Sequence, residues 1–485
     1  LLALFLLIFA VSVLYLQSLK APWVDECYSY YGVWHDSFSE FFNSMLTGIN
    51  FSPPLYFLLN FCIQLVFPIS IEALRVQSLV WTLTGLLLCF MTGRRLWGSI
   101  PTLIALLLVV CHSELLLAQS QEARNYSLFF ACGGWVMFMQ TCNIKCRTKL
   151  FMLTFLAHLC LCQVHYIGII FSSLLGVSYL FSRKEIFLLK RIPLSLYASW
   201  AISLPLYLYF LSNQKSLLNT WPKPNSFTDL LGIYGDGVIA LVSIIPILAI
   251  GISTGNTLDK EDKNPKPHNP ALITSVLWYG VPLIAWVLSN ITPINLFNAR
   301  YFIPKEVALI FLVGFVCFSI RSLWANQCLK SKFQRNVSLL SATTICLLIV
   351  FIGVKRSAFA YGETRNYHHW LIKPDAPILG DHALFFCGDP VFFPNAYKHS
   401  EKAYFLLDDE RLNSIYSQFS AKIKVVNYKD LKDLKSFVLV SGKDDLPEFL
   451  QSNFRVTRLG KFHERLCLVC TKFEKMESHE TIPPP

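Results

Sequence analysis

The chain has 485 residues, of which 54% are hydrophobic and only 15% charged, and its mean hydropathy is +0.47. Soluble domains carry roughly 25% charged residues, so an ordinary soluble protein is excluded and an integral membrane protein is expected. A formal charge of +11 would suggest nucleic acid in a soluble chain. Here the basic residues fall in alternate short loops between apolar runs, and no nucleic-acid partner is expected.

A bilayer core needs about 20 apolar residues per helical span. Such runs recur at 1–19, 73–93, 99–117, 126–142, 150–165, 166–182, 192–211, 231–252, 271–289, 301–320 and 337–354. They predict a polytopic α-helical membrane protein with about eleven transmembrane helices. Arg94 and Arg95, then Lys145, Arg147 and Lys149, then Arg183, Lys184, Lys190 and Arg191 occupy every second loop, and Lys260, Lys263, Lys266, Arg321, Lys330, Lys332 and Arg335 continue the pattern. The positive-inside rule makes those loops cytoplasmic. The loop after the first span, the loops at 112–125 and 290–300, and everything beyond Lys355 are then extracytoplasmic. Leu1 is not an initiator Met, so a cytoplasmic start is expected to precede it. No small-residue cleavage site precedes Lys20, which argues against reading 1–19 as a cleaved signal peptide.

The loop at 20–72 is dense in Phe, Tyr, Trp and Leu yet interrupted by Pro and polar residues, a pattern that suits helices lying in the interface plane. Reading 55–67 as a short span would invert every later loop, against the charge bias. Two domains are expected: a membrane domain over 1–354 and a tail over 355–485. In the tail, "ALFFC", "AYFLL", "IKVV", "SFVLVS" and "LCLVC" read as short buried strands. Helical stretches such as "ERLNSIYSQF" and "DLPEFLQSNF" separate them, so a small extracytoplasmic α/β domain is predicted. Neither a Walker loop nor a GxGxxG occurs, and no internal repeat is visible. Most of the fifteen cysteines lie in apolar runs as filler. Cys387, Cys467 and Cys470 sit in the tail, where one disulfide is expected, and a lone CxxC is weak evidence for zinc.

The candidate chemistry clusters at the outer ends of spans. In "APWVDECYSYYGVWH", Asp25 and Glu26 are adjacent carboxylates among Trp23, Tyr28, Tyr30, Tyr31 and Trp34. Solvated surface acids are the bland alternative. Partial burial among aromatic rings would instead raise a carboxylate towards the range useful to a general base. Adjacent residues point in different directions, so Asp25 can face a substrate while Glu26 holds a metal, cation or backbone group. "SQEARNYSL" supplies Glu122, Arg124 and Tyr126, and "NARYFIP" supplies Arg300 and Tyr301. An arginine at the hydrocarbon edge can simply snorkel. Two facing one cavity would grip a lipid phosphate through their planar forks. "QVHYIGII" places His165 and Tyr166 at the turn between two spans. His165 is either a hydrogen-bonded structural residue or, with Asp25, Glu26 or Glu122, a supporting ligand of a divalent metal ion.

Taken in order, "WVDECYSYY", "FSPPLYFLLNF", "EALRVQSLVWTLTGLLLCFMTGRRLWG", "QSQEARNYSL", "QVHYIGII" and "NARYFIP" resemble the membrane glycosyltransferases of the C fold, GT-C. More narrowly, they resemble the protein mannosyltransferase and aminoarabinose transferase superfamily (glycosyltransferase families 39 and 83), especially bacterial members that decorate lipopolysaccharide and related envelope glycans. The resemblance covers about residues 1–320. It implies a polyprenyl-phosphate sugar donor, a reaction on the periplasmic face of a bacterial inner membrane, and a catalytic acid in the first loop, which is Asp25 here with Glu26 beside it. "SPPL" stands where many relatives have "HPPL", which leaves Ser52 alone before the prolines. No large sugar-binding insert is evident, so a lipid or envelope glycan acceptor is expected rather than a protein. The rival readings are a lipid or sugar transporter (a flippase), which would show broken helices or mid-membrane charges, and a non-catalytic envelope assembly protein.

Overall fold

The computed structural model describes residues 1–47, 52–182, 192–213, 226–235, 269–291 and 297–326, and in the tail six strands between 383 and 472 with a few single residues. The chain divides into two compact units: 1–19 with 45–363, and 20–44 with 364–485.

Helix α1 (Leu2–Leu19) is followed by three ten-residue helices, α2 (Val24–Val33), α3 (Phe38–Thr47) and α4 (Leu55–Gln64). Ten residues rise only about 15 Å, half of a bilayer core. None of the three can span, α4 included, so the first loop consists of short helices, as its interrupted sequence suggests. Then come α5 (Ile71–Trp97), α6 (Ser99–His112), α7 (Glu114–Gln121), α8 (Tyr126–Thr141), α9 (Arg147–Val164), α10 (Gly168–Ser182) and α11 (Leu194–Asn213). After a helical stretch at 227–235, α12 (Asn269–Tyr279), α13 (Val281–Ile291) and α14 (Pro304–Asn326) complete the described helices.

α1, α5 and α11 are each long and apolar enough to cross a membrane by themselves, and two bent pairs raise the described total to five. The bends correct two expected straight spans. The run 99–117 is broken by 74° between α6 and α7, because Ser113 leaves the helix with ψ 99° and caps α7, its Oγ accepting the Leu116 N–H at 3.1 Å. The run 271–289 bends by 40° between α12 and α13. There Gly280 is followed by Pro282, which has no N–H to give. The expected spans at 231–252 and 337–354 lie wholly or mostly outside the described residues.

Helix faces show how the unit packs. On α1, Leu4, Leu7, Ile8, Val11 and Tyr15 are exposed while Phe9, Val13 and Leu16 are buried, a surface that only lipid would cover without cost. α5 starts on a Ser70 cap, Oγ to Ala73 N at 3.0 Å. It ends at Gly98, whose φ of 87° suits glycine alone. α5 and α8 approach through small residues: a Cβ on Gly134 would stand 3.1 Å from the Gly85 carbonyl oxygen, and one on Gly85 would meet the Phe130 ring at 2.5 Å. Thr82 donates to Ser127 across the same interface at 3.1 Å.

The second unit holds α2 and a six-stranded sheet. Its strands are β1 (Ala383–Phe386), β2 (Ala403–Leu407), β3 (Lys424–Asn427), β4 (Ser436–Ser441), β5 (Phe454–Phe462) and β6 (Arg465–Lys472), in the order β3-β2-β1-β4-β6-β5. The first four strands in that order are parallel, which requires crossover connections, and the last two pairings are antiparallel. β4 is central, with Phe437, Val438 and Leu439 all fully buried, as a strand covered on both faces must be. β5 corrects the sequence reading, because Phe454, expected to end a helix, begins a strand and packs edge-on against Phe437 at 5.1 Å. Cys467 and Cys470 lie in one continuous strand, so their Cα atoms are about 10 Å apart. That is too far for a disulfide between them. Cys387 and the expected helix "ERLNSIYSQF" fall outside the described residues.

Candidate active site

In the first unit, segments far apart in sequence meet at one end of the helices. They are the α7–α8 connection (122–125), the α9–α10 turn (165–167), a 3-10 turn at Ala299–Phe302 and the residues before α4. Asn125 ties three of them. Its Nδ2 donates to the Val164 carbonyl at 2.8 Å and to Ser52 Oγ at 3.3 Å. The turn at 165–167 is held by the Gly168 N–H on the His165 carbonyl, 2.8 Å. Gly168 tolerates no side chain, since a Cβ would lie 2.1 Å from the Leu161 carbonyl oxygen. Asn298 caps the 3-10 turn, Oδ1 accepting the Arg300 N–H at 3.2 Å.

These turns bring Tyr126, His165 and Tyr301 together. The His165 ring lies 4.5 Å from Tyr301 and 6.0 Å from Tyr126, the two tyrosines are 6.3 Å apart, and Phe129 stacks on His165 at 5.4 Å. All four side chains are buried. The Arg124 guanidinium stands 5.9 Å from the Tyr126 ring centre, at the edge of cation–π range. Arg124 and Arg300 are both half-buried. Burial first, and the Arg124 charge second, lower His165 to about 3, so its imidazole is neutral at physiological pH. Glu122 is buried where α7 ends. Tyr166 packs edge-on against Tyr207 of α11 at 5.0 Å instead of joining this cluster; Tyr207 also donates to the carbonyls of Cys162 and His165.

In the second unit, α2 carries the first-loop acids. Glu26 is fully buried and its Oε2 accepts the Trp23 N–H at 3.3 Å, an interaction of the N-terminal turn that also places negative charge at the positive end of the helix. Asp25 is partly exposed. Tyr30 touches Tyr31, Trp34 and, from the tail, Tyr397, at 5.1, 5.2 and 5.2 Å. Burial, then Cys27, Tyr30 and Tyr397, push the Tyr31 phenol up, so it stays protonated. Among the described residues no three His, Cys, Asp or Glu side chains gather into a metal site. His165 is surrounded by aromatic rings and Arg124, a setting unsuited to a divalent cation.

No protein-family model matches this sequence, and no curated protein sequence matches it either. Solved structures do match, and two among them do so along nearly the whole chain. Both are crystal structures of ArnT, an aminoarabinose transferase from Cupriavidus metallidurans, one bound to undecaprenyl phosphate and one in the apo state. They superpose with TM-scores of 0.57 and 0.60 at 13% identity, covering 96% of this chain and 97% of ArnT in each case. The chain has the GT-C fold. At 13% identity the likeness carries the fold alone, so site assignments in this GT-C chain rest on its own side chains.

Four of those side chains were not singled out in the sequence. Asn125 is one, the tie between three segments. Arg75 is another: it is buried on α5, and its Nη1 donates to the Gln17 carbonyl at 3.3 Å while Gln17 Nε2 donates to the carbonyls of Arg75 and Ser120 at 2.9 and 3.0 Å. Lys305 and Glu306 are the others, adjacent residues that form a fully buried ion pair in the first turn of α14, directly after the Arg300–Tyr301 turn. For Arg75, Lys305 and Glu306 the signal was present as a charge inside an apolar run, "EALRVQ" and "IPKEVALIF", which a membrane protein keeps only where it is paired or used. The GT-C scaffold therefore presents half-buried guanidiniums on the same short turns as a neutral His–Tyr cluster, an arrangement able to hold an anion at the end of the helices.

Proposed function

We propose that this chain is a glycosyltransferase that moves a sugar from a polyprenyl-phosphate donor to an extracytoplasmic lipid or envelope glycan. One observation carries the reading: Arg124 with Tyr126, His165, and Arg300 with Tyr301 lie on turns that meet at one end of a GT-C helix bundle. Support comes from ArnT, which shares the fold and was crystallised with undecaprenyl phosphate. In this reading Asp25 is the general base. It takes the proton of the acceptor hydroxyl as that oxygen attacks the anomeric carbon, the bond from that carbon to the phosphate oxygen breaks, and polyprenyl phosphate leaves with both electrons. Arg124 and Arg300 stabilise the charge that develops on the departing phosphate. Glu26 is a positioning residue that holds the start of α2 through the Trp23 N–H. In this reading the reaction runs on the extracytoplasmic face, which the charge bias of the loops supports, and the membrane is a bacterial inner membrane, as the family resemblance implies.

A second reading is favoured by the two bent helix pairs: a transporter of lipid-linked sugar, whose broken helices line the path. One experiment separates them. Mass spectrometry of lipid-linked sugars and envelope glycans is carried out with and without the gene, and again with purified protein in vesicles given donor on one face. A transferase yields free polyprenyl phosphate and an acceptor heavier by one sugar. Intact donor recovered on the opposite face, with no cleavage, would replace it with the transporter.

A further inference from the structure

The far ends of these same helices line a half-open cavity. Its volume is about 440 Å³, and its lining includes Gln140 and Cys142 at the end of α8, Arg147 and Phe151 at the start of α9, and Leu194 and Ser195 at the start of α11. α8 is 16 residues long, so the cavity is about 24 Å from the His165 cluster along the helix axis. It takes no part in the chemistry proposed above.

Two features give it a ligand preference. The first is charge. Arg147 lines it, Arg95 donates to Cys142 Sγ at 3.2 Å with its guanidinium 4.6 Å from the Phe138 ring centre, and Lys145 and Lys149 flank Arg147. Among the described residues at this end, 92–112, 134–160, 175–182, 192–200 and 269–275, there is no Asp or Glu. The second is backbone polarity. α9, α11 and α12 have Arg147, Leu194 and Pro270 in their first turns, all lining the cavity. Cys146 gives α9 no side-chain cap, so the positive end of α9 faces the space.

We propose that this cavity binds the headgroup of an anionic phospholipid, for which phosphatidylglycerol serves as the probe. The phosphate lies at Arg147 and the first turns of α9 and α11, and the start of the acyl chains rests on Phe151 and Leu194. The positive-inside rule assigns this end to the cytoplasmic leaflet, where basic pockets between helices recruit anionic lipid. Apolar walls and a volume well beyond that of a phosphate ion favour a lipid over a soluble phosphate ester.

The test is native mass spectrometry of the full chain in mild detergent, titrated with phosphatidylglycerol or phosphatidylcholine. Wild type should hold one phosphatidylglycerol tightly and phosphatidylcholine weakly. Arg147→Glu should lower that occupancy at least about fivefold, the effect of about 1 kcal/mol per basic residue near a headgroup. Thr154→Trp, which fills the cavity without changing charge, should do the same, and Lys149→Glu, which flanks the cavity without lining it, should lower occupancy by clearly less than Arg147→Glu. Should Arg147→Glu fail to fold, Arg147→Gln replaces it. Equal loss in Lys149→Glu and Arg147→Glu, or no loss in Thr154→Trp, would overturn the site. Displacement of the lipid by millimolar glycerol phosphate would overturn the lipid as its occupant.

Discussion

The imidazole of His165 and the phenol ring of Tyr301 lie 4.5 Å apart, both buried. Neither is useful as a surface anchor there, and the pair locks the α9–α10 turn to the turn before α14. Replacing Tyr301 with Ala should cost about 3–5 kcal/mol, the range for emptying a large aromatic site, whereas Tyr301→Phe keeps the ring. Thermal unfolding in detergent checks this, and equal melting temperatures for the Ala variant and wild type would remove the pair as a structural lock.

The same imidazole gives a pH dependence. His165 titrates near 3 in the folded chain against an ordinary 6.5, so below 6.5 the unfolded chain takes up a proton that the folded chain refuses. The folded value is the lower one, so stability holds above pH 6.5 and falls as pH drops towards 3, by about 1.4 kcal/mol per pH unit at most. His165→Gln cannot bind that proton, and its apparent melting temperature should fall less between pH 6.5 and 4. Parallel curves for the two proteins would contradict the assignment.

Asp25→Asn should lower sugar transfer by about 10²–10⁴-fold with folding intact, since the amide keeps size and hydrogen bonding but cannot take a proton. Glu26→Gln retains an acceptor for the Trp23 N–H and should be milder in rate, with a stability loss of about 1 kcal/mol from the weakened helix start. Near wild-type turnover in folded Asp25→Asn would eliminate Asp25 as the base.

For the arginines, lysine is the informative replacement. If Arg124 and Arg300 only anchor helix ends, Lys keeps the charge and snorkels as well. If they grip a phosphate through planar forks, each Arg→Lys change should raise the donor concentration needed for half-maximal transfer, and the double variant should deviate from additivity. Unchanged donor dependence in all three would leave them as anchors.

Gly168 offers a test of the turn itself. A methyl group there would meet the Leu161 carbonyl oxygen at 2.1 Å, so Gly168→Ala must shift α10 against α9 and is expected to lower the melting temperature and displace His165. Wild-type stability in this variant would show that the turn is looser than its geometry implies.

The sequence by itself determined the class of this protein. Apolar runs of span length, basic residues in alternate loops and aromatic-rich acids after the first span fix a polytopic membrane chain, because hydrocarbon excludes charge and unpaired backbone regardless of packing. Five of the six strands were also legible, as short apolar runs. β5 was not, since "FRVTRLGKF" interleaves charges and takes its strand form only from pairing with β6 along its length. The two helix breaks were equally hidden, for Ser113 and Gly280 sit within runs apolar enough to be continuous. Tertiary structure alone decided that Tyr126, His165 and Tyr301 share one cluster while Tyr166 turns to Tyr207, and that Arg75, Asn125, Lys305 and Glu306 are buried ties. Each of those depends on which helix ends meet. Periodicity along one chain says nothing about that, because it records only which face of a helix avoids water or charge, and not which neighbour that face will find.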